Sequence, residues 1–117
     1  MHAWIFAFRN SCAGLAFAVR TERAVRQEAI ALVIATPVAL IIGATIWAKI
    51  AMIGVVLLLL AVELLNTCIE KLCDHVTPDI HPQIKIVKDM GSAAVLAVLV
   101  IVALVWIAAI VERLALV

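Results

Sequence analysis

The chain has 117 residues, of which 68% are hydrophobic and 15% are charged, and its formal net charge is +1. A soluble domain averages about 45–50% apolar and about 25% charged residues, and a chain this short cannot bury so much apolar surface in its own core. The composition excludes an ordinary soluble domain and predicts a membrane protein, and no basic patch of the kind that binds nucleic acid is visible.

Residues 2–26 are predicted to form an amphipathic helix that lies on the membrane surface. Aromatic side chains such as Trp4 and Phe8 contribute its apolar face. Its arginines can meet anionic lipid headgroups; they are Arg9, Arg20, Arg23 and Arg26. A cleaved signal peptide is disfavoured, because Arg9 interrupts the first apolar run.

Three apolar stretches follow, each long enough to cross about 30 Å of hydrocarbon at about 1.5 Å per residue. The predicted spans are residues 29–47, 50–74 and 89–111. Pro37 is expected to kink the first span, and Trp47 with Lys49 marks the interface at its far end. Residues 77–82 are expected to form a loop, because they contain two prolines that break a helix.

The distribution of lysine and arginine predicts the orientation. Most of these residues lie in the N-terminal segment and in the connection between the second and third spans: Arg9, Arg20, Arg23, Arg26, Lys71, Lys85 and Lys88. Lys49 and Arg113 lie on the other side. The positive-inside rule therefore places the N-terminus and the polar loop in the cytoplasm.

Polar residues follow one another along the second span at Glu63, Asn66, Glu70 and Asp74. At about 100° per residue, all four fall within a stripe about 80° wide on one helix face. One interpretation is a structural seam that hydrogen-bonds neighbouring helices. However, three carboxylates on one stripe repel one another unless a cation lies among them. Lys88 alone does not neutralise them, whereas a divalent metal would.

Two further polar groups flank the spans. The first group is residues 88–92, at the start of the third span. Its Lys88 could bind a phosphate, its Asp89 could bind a metal, and its Gly91 lets another backbone or a ligand approach closely. The second group, residues 22–28, lies at the junction of the surface helix and the first span. Charged residues are also common at the ends of membrane helices, so each group can equally be interpreted as an ordinary charged helix boundary.

The sequence has no GxxxxGK[ST] and no GxGxxG motif, so a nucleotide site must be assembled from carboxylates, a lysine and helix ends. Phosphoryl transfer tolerates such a site, because its catalysis is mostly positioning and neutralisation of charge by Mg²⁺ and cations. His75 and His81 do not have the spacing of a zinc site.

Three strings of residues carry a resemblance to a known family. They are Glu63-Leu-Leu-Asn66-Thr-Cys-Ile-Glu70-Lys-Leu-Cys-Asp74, Lys88-Asp89-Met-Gly-Ser92-Ala-Ala-Val and Glu22-Arg-Ala-Val-Arg-Gln27-Glu28. With these strings the chain resembles the bacterial integral-membrane diacylglycerol kinase family over about residues 8–110. The resemblance implies one all-α membrane domain over residues 1–117, in which a surface helix precedes three transmembrane helices and the subunits form a homotrimeric helical bundle. It also implies that the enzyme uses ATP and Mg²⁺ to convert diacylglycerol to phosphatidic acid at the cytoplasmic face of the inner membrane.

The same resemblance implies roles for individual residues. Glu63 matches the general base that takes the proton of the lipid hydroxyl, and Asn66 and Asp89 match residues of the same catalytic cluster. Glu22 and Glu70 match the carboxylates that hold Mg²⁺ on ATP. The positions that match nucleotide contacts are Asn10, Glu22, Glu70, Asp79, His81, Lys88 and Asp89, and those that match lipid contacts are Gln27, Glu28, Glu63 and Ser92. Asn10 stands where family members often have an aromatic residue.

Two alternatives stay open at this point. Undecaprenol kinases share the same motifs, although Arg26-Gln27-Glu28 and the Met90 that follows Lys88-Asp89 favour diacylglycerol as the substrate. A non-enzymatic channel or transporter subunit would also explain acids within a membrane. That class predicts polar residues through the whole depth of the bilayer, whereas the outer halves of the three spans are almost purely apolar.

Overall fold

Helices account for almost all of the chain in the computed structural model, which describes residues 2–77 and 79–117. The helices are α1 (His2–Thr21), α2 (Arg23–Ile42), α3 (Ile46–Val76) and α4 (Pro82–Ala115). α2, α3 and α4 are each long and apolar enough to cross a membrane. The predicted all-α class, with three candidate membrane spans after an N-terminal helix, is confirmed.

The first helix boundary lies at Glu22, four residues before the predicted end of the surface helix. Glu22 has an extended backbone, with φ −112° and ψ 116°, which separates α1 from α2. The Arg26 guanidinium reaches back from α2 and donates hydrogen bonds to the carbonyls of Val19 and Arg20, each at 3.3 Å. These carbonyls belong to the last turn of α1, where no further helical N–H is available to them.

A three-residue connection joins α2 to α3. α2 ends at Ile42, so Trp47 lies in the first turn of α3 and not at the end of the first span as predicted. Thr45 caps α3, because its hydroxyl accepts a hydrogen bond from the Ala48 N–H at 3.1 Å. Gly43 fits the tight connection, since a Cβ there would overlap the Lys49 side chain.

The connection from α3 to α4 is also short. Pro78, one of the two prolines of the predicted loop, lies outside the described residues. His81 caps α4 through Nδ1, which accepts a hydrogen bond from the Gln83 N–H at 3.1 Å, and Pro82 occupies the first turn, where its missing N–H costs nothing. α4 therefore begins well before Lys88, and its 34 residues extend about 51 Å. That length exceeds the hydrocarbon thickness, so an end of α4 projects beyond it.

Two small apolar clusters hold the helices together. Ala18, Val25 and Leu60 join α1, α2 and α3 near the first helix boundary. The second cluster joins α2, α3 and α4 at the opposite end of the bundle, and its members are Ala39, Met52 and Ala109. Beside this cluster, the Trp106 indole N–H donates a hydrogen bond of 3.1 Å to the Met52 carbonyl. This bond joins α4 to α3.

Most large apolar side chains of α2, α3 and α4 face outward from the single chain. In the most apolar 18-residue stretch of each helix, the buried share is only 11% for α2 and for α4, and 28% for α3. A surface of this kind requires lipid or another protein chain as its surroundings.

Candidate active site

α3 carries the predicted polar stripe on one uninterrupted helix, and the burial of its residues changes along the stripe. Glu63 and Asn66 are each only 8% exposed. Glu70 and Asp74, one and two turns further along, are exposed. The stripe therefore leads from a carboxylate enclosed between helices to carboxylates open to the surroundings.

The side-chain amide of Asn66 links the two glutamates of the stripe. Its Nδ2 donates a hydrogen bond of 3.2 Å to Glu70 Oε1. The same amide lies beside the carboxylate of Glu63. Asn66 Oδ1 is buried and has no hydrogen-bond partner within residues 2–77 and 79–117.

Glu28 brings a further carboxylate to the stripe from α2. Its side chain is half-buried and lies close enough to Glu63 for the two carboxylates to interact electrostatically. Its Oε2 atom is buried and finds no hydrogen-bond partner in the described part of the chain. Within the part of the chain that the structure describes, two buried oxygens near Glu63 therefore have no donor, Glu28 Oε2 and Asn66 Oδ1. Buried polar atoms are rarely left unpaired unless a ligand, water or ion serves them.

Glu22 is held by a lysine that the sequence analysis did not single out. Lys71 Nζ lies 2.6 Å from Glu22 Oε1 and 5.7 Å from the centre of the Phe17 ring. These contacts connect the C-terminal turn of α1 to the α3 turn that carries Glu70. The only sequence signal for this role is that Lys71 directly follows Glu70.

Lys88 and Asp89 are neighbours in sequence but pair with different residues. Lys88 Nζ binds Asp74 Oδ1 at 2.6 Å, across the interface between α4 and α3. Asp89 Oδ2 binds Lys85 Nζ at 2.7 Å, within α4. Lys88, the cation expected near the acidic stripe, therefore forms an ion pair with Asp74, the outermost residue of the stripe.

A cavity of about 230 Å³ lies where α3 ends and α4 begins. Lys88, Asp79 and His81, three of the predicted nucleotide contacts, line this cavity together. Asp74 and Lys85 complete its charged wall. Asp89 is not among its lining residues. A second, largely apolar cavity of about 430 Å³ lies between α1 and α3, and Glu22 and Lys71 are part of its lining.

The remaining predicted site residues are Asn10, Gln27 and Ser92. All three are exposed, on α1, α2 and α4 respectively. Gln27 is adjacent to Glu28 in sequence but is more exposed. Ser92 follows Gly91, which is buried against Asn66.

The donor chemistry of the stripe suits a hard cation that arrives with phosphate groups. No group of three or more His, Cys, Asp or Glu side chains within residues 2–77 and 79–117 is arranged to hold a metal alone. Mg²⁺ is commonly bound through one or two carboxylates together with substrate phosphates, so it does not need such a group. Glu70 is exposed and Glu22 is 28% exposed, so both carboxylates are accessible.

Comparison with known proteins identifies similar sequences. A family model described as prokaryotic diacylglycerol kinase matches residues 9–110. The diacylglycerol kinase of Pseudomonas aeruginosa is 42% identical over 96 residues, which cover 82% of this chain and 78% of that relative. That of Haemophilus influenzae is 38% identical over 98 residues, covering 84% and 83%. That of Escherichia coli (strain K12) is 34% identical over 93 residues, covering 80% and 76%.

Proposed function

Because the chain belongs to the prokaryotic diacylglycerol kinase family and is an ATP-dependent lipid kinase, we propose that Glu63 is the general base of phosphoryl transfer to diacylglycerol. The observation that carries this assignment is that Glu63 is 8% exposed and starts a stripe that ends in exposed carboxylates. The buried end of the stripe is where a lipid hydroxyl would arrive, and the exposed end is where ATP would.

In the proposed reaction, the carboxylate of Glu63 accepts the proton of the diacylglycerol hydroxyl. The hydroxyl oxygen bonds to the γ-phosphorus of ATP, and the bond from that phosphorus to the β,γ-bridging oxygen breaks. The products are phosphatidic acid and ADP, and the proton stays on Glu63 until water takes it. The enclosure of Glu63 supports this role, because a partly desolvated carboxylate is a stronger base.

Glu70 and Glu22 are the proposed carboxylates for Mg²⁺ on ATP. Glu70 lies seven residues beyond Glu63, about 10 Å along the helix, which leaves room for a γ-phosphate between them. When bound, Mg²⁺ would neutralise negative charge on the phosphates. The Asn66 amide holds Glu70 in place, and its contact with both glutamates supports a catalytic role for it.

The nucleotide contacts are proposed at the ends of α3 and α4. The cavity lined by Asp79, His81 and Lys88 supports a phosphate position there, because Lys88 supplies a positive charge. Asp89 and Asn10 stay in the proposal on the resemblance of the sequence. Asp89 would have to leave Lys85 to meet a nucleotide or metal.

Gln27, Glu28 and Ser92 are proposed on the lipid side of Glu63. Glu28 has the strongest support, since its carboxylate is close enough to Glu63 to interact with it electrostatically and one of its oxygens has no donor within the described residues. A hydroxyl of diacylglycerol could donate to such an oxygen before it reacts. Gln27 and Ser92 are exposed and could meet the glycerol backbone.

We also propose a cytoplasmic N-terminus in the bacterial inner membrane and a homotrimer. The excess of lysine and arginine at the N-terminal segment and at the connection between α3 and α4 supports the orientation. The outward-facing apolar side chains of the three long helices support an assembly of several copies, because another copy of the chain can cover such a surface.

The test is ATP consumption by the purified protein in detergent micelles, with a panel of lipid alcohols that includes diacylglycerol and undecaprenol. The proposal expects diacylglycerol to be the preferred acceptor and phosphatidic acid to form with one ADP per lipid. Glu70→Gln should raise the Mg²⁺ concentration needed for half-maximal rate or abolish turnover. Preference for undecaprenol would contradict the assignment of diacylglycerol as the substrate. An unchanged Mg²⁺ requirement in Glu70→Gln would contradict the assignment of Glu70 as a metal carboxylate.

A further inference from the structure

Gly91 on α4 is buried directly against the Asn66 side chain on α3. A Cβ added to Gly91 would overlap Asn66 Oδ1 and would lie only 3.4 Å from Asn66 Cγ. The amide group of Asn66 therefore fills the space that any other residue at position 91 would need. Gly14 and Gly54 differ in this respect, because nothing lies within 4 Å of a Cβ built on either of them.

Backbone conformation does not explain a glycine at position 91. No glycine in the described residues has a positive φ, so the helical conformation of Gly91 is open to any L-residue. A glycine inside a helix is also less favourable than alanine by about 1 kcal/mol. What Gly91 provides is space for the neighbouring amide.

The Asn66 amide is fixed from two sides. On one side, its Nδ2 donates to Glu70 Oε1 at 3.2 Å. On the other side, its Oδ1 packs on the backbone of Gly91. Turning the amide over would place Oδ1 against the Glu70 carboxylate, and two acceptors repel each other. The missing side chain at Gly91 thus leaves room for Oδ1 on that side while the N–H is directed at Glu70 Oε1.

We propose that Gly91 is a positioning residue of the kinase: it acts through Asn66 to hold the carboxylate of Glu70 in the geometry that receives the metal-bound phosphates. This inference rests on the proposed role of Glu70. Residues that orient a metal ligand typically affect metal affinity or activity by about 10–100-fold. Gly91→Ala should therefore weaken metal binding by a factor in that range.

The first experiment observes Asn66 directly and needs no turnover. The chain contains two asparagines, Asn10 and Asn66, so labelling with ¹⁵N-asparagine gives two pairs of side-chain NH₂ signals in a ¹H–¹⁵N NMR spectrum, one pair for each residue. Asn10→Ser assigns them. Gly91→Ala should shift the Asn66 signal, whereas the matched control Gly54→Ala should leave it unchanged. An unshifted Asn66 signal in Gly91→Ala would overturn the proposal.

The second experiment measures Mn²⁺ affinity with a non-hydrolysable ATP analogue in a double-mutant cycle. Gly91→Ala should weaken Mn²⁺ binding in the wild-type background but cause no further loss in the Asn66→Ala background, where the overlap has been removed. An equal loss in both backgrounds would show that Gly91 serves packing alone. If Gly91→Ala alone does not fold, the comparison of Asn66→Ala with Asn66→Ala/Gly91→Ala still tests the proposal, because a loss of Mn²⁺ affinity between these two variants would contradict it.

Glu70→Gln separates this inference from the proposed function. If Glu70→Gln leaves Mn²⁺ affinity unchanged, the metal assignment fails and the inference with it. If Glu70→Gln weakens Mn²⁺ binding while Gly91→Ala does not, the positioning role of Gly91 fails and the metal assignment stands. Gel filtration and thermal unfolding of each variant verify that the helices stay assembled.

Discussion

The ion pair between Lys71 and Glu22 predicts that removal of the lysine charge strengthens metal binding. Glu22 is a proposed metal carboxylate, yet one of its oxygens lies 2.6 Å from Lys71 Nζ. A metal that binds Glu22 must compete with this lysine. Lys71→Met removes the charge but keeps a long apolar side chain that can still contact the Phe17 ring, because methionine sulfur packs well on aromatic rings. The variant should therefore bind the metal more tightly than the wild type.

The expected gain is small, and the structure sets its size. The side chains of Lys71 and Glu22 are 52% and 28% exposed, and ion pairs at such exposure contribute about 0.2–1 kcal/mol. That energy corresponds to about a 1.5- to 5-fold gain in metal affinity. The loss of the tether should at the same time increase amide hydrogen exchange in α1 when no metal is present.

Mn²⁺ binding measured by electron paramagnetic resonance, with a non-hydrolysable ATP analogue, tests this prediction. Lys49→Met is the matched control, since Lys49 lies at the opposite end of α3 from Glu70. Unchanged or weaker Mn²⁺ binding in Lys71→Met would show that Lys71 does not compete with the metal for Glu22. It would mean that Lys71 supports the metal site, for example by orienting Glu22, and does not compete for it.

Three further predictions concern orientation, packing and assembly. In a background without native cysteines, a cysteine at Thr77 should be labelled only from the cytoplasm and one at Ala115 only from outside; labelling of position 77 from outside would reverse the orientation. Trp106→Phe should lower the free energy of unfolding by about 0.5–1.5 kcal/mol through loss of the bond to Met52, with kcat unchanged, as measured by denaturant titration and kinase assay. Native mass spectrometry in detergent should show three copies of the chain, and a monomeric or dimeric active species would contradict the trimer.

Local signals made much of the architecture predictable. Long apolar stretches predicted the three spans, because no other environment suits them. The intervals from Glu63 to Asp74 placed four polar residues on one face, and this required only that the helix be continuous, which α3 is. Helix ends are less predictable from sequence: the apolar run continues to Trp47, yet Trp47 lies in the first turn of the next helix because Thr45 acts as the cap.

The partners of the site residues could not be predicted, because they come from other helices. The sequence alone does not show that α2 packs on α3 with Glu28 close enough to Glu63 for an electrostatic interaction. It also does not show that Lys71 of α3 reaches Glu22 at the start of α2. The same holds for Asn66 and Gly91, which are 25 positions apart in sequence and meet only where α3 packs on α4. A glycine without a positive φ gives no local signal of this contact.

The role of Glu63 as the general base is measured by the steady-state kinetics of Glu63→Gln. Glu112→Gln is the control, because Glu112 is exposed and lies near the C-terminal end of α4. Glu63→Gln keeps the size and hydrogen-bonding capacity of Glu63 but cannot accept a proton from the lipid hydroxyl. We expect kcat of Glu63→Gln to fall by about 10²–10⁴ and the KM values for MgATP and diacylglycerol to change much less. Glu112→Gln should behave like the wild type. A fall in kcat of less than about tenfold with a sharp rise in KM would contradict the role of Glu63 as the general base. That result would make Glu63 a binding residue and leave Asp89 as the next candidate for the base.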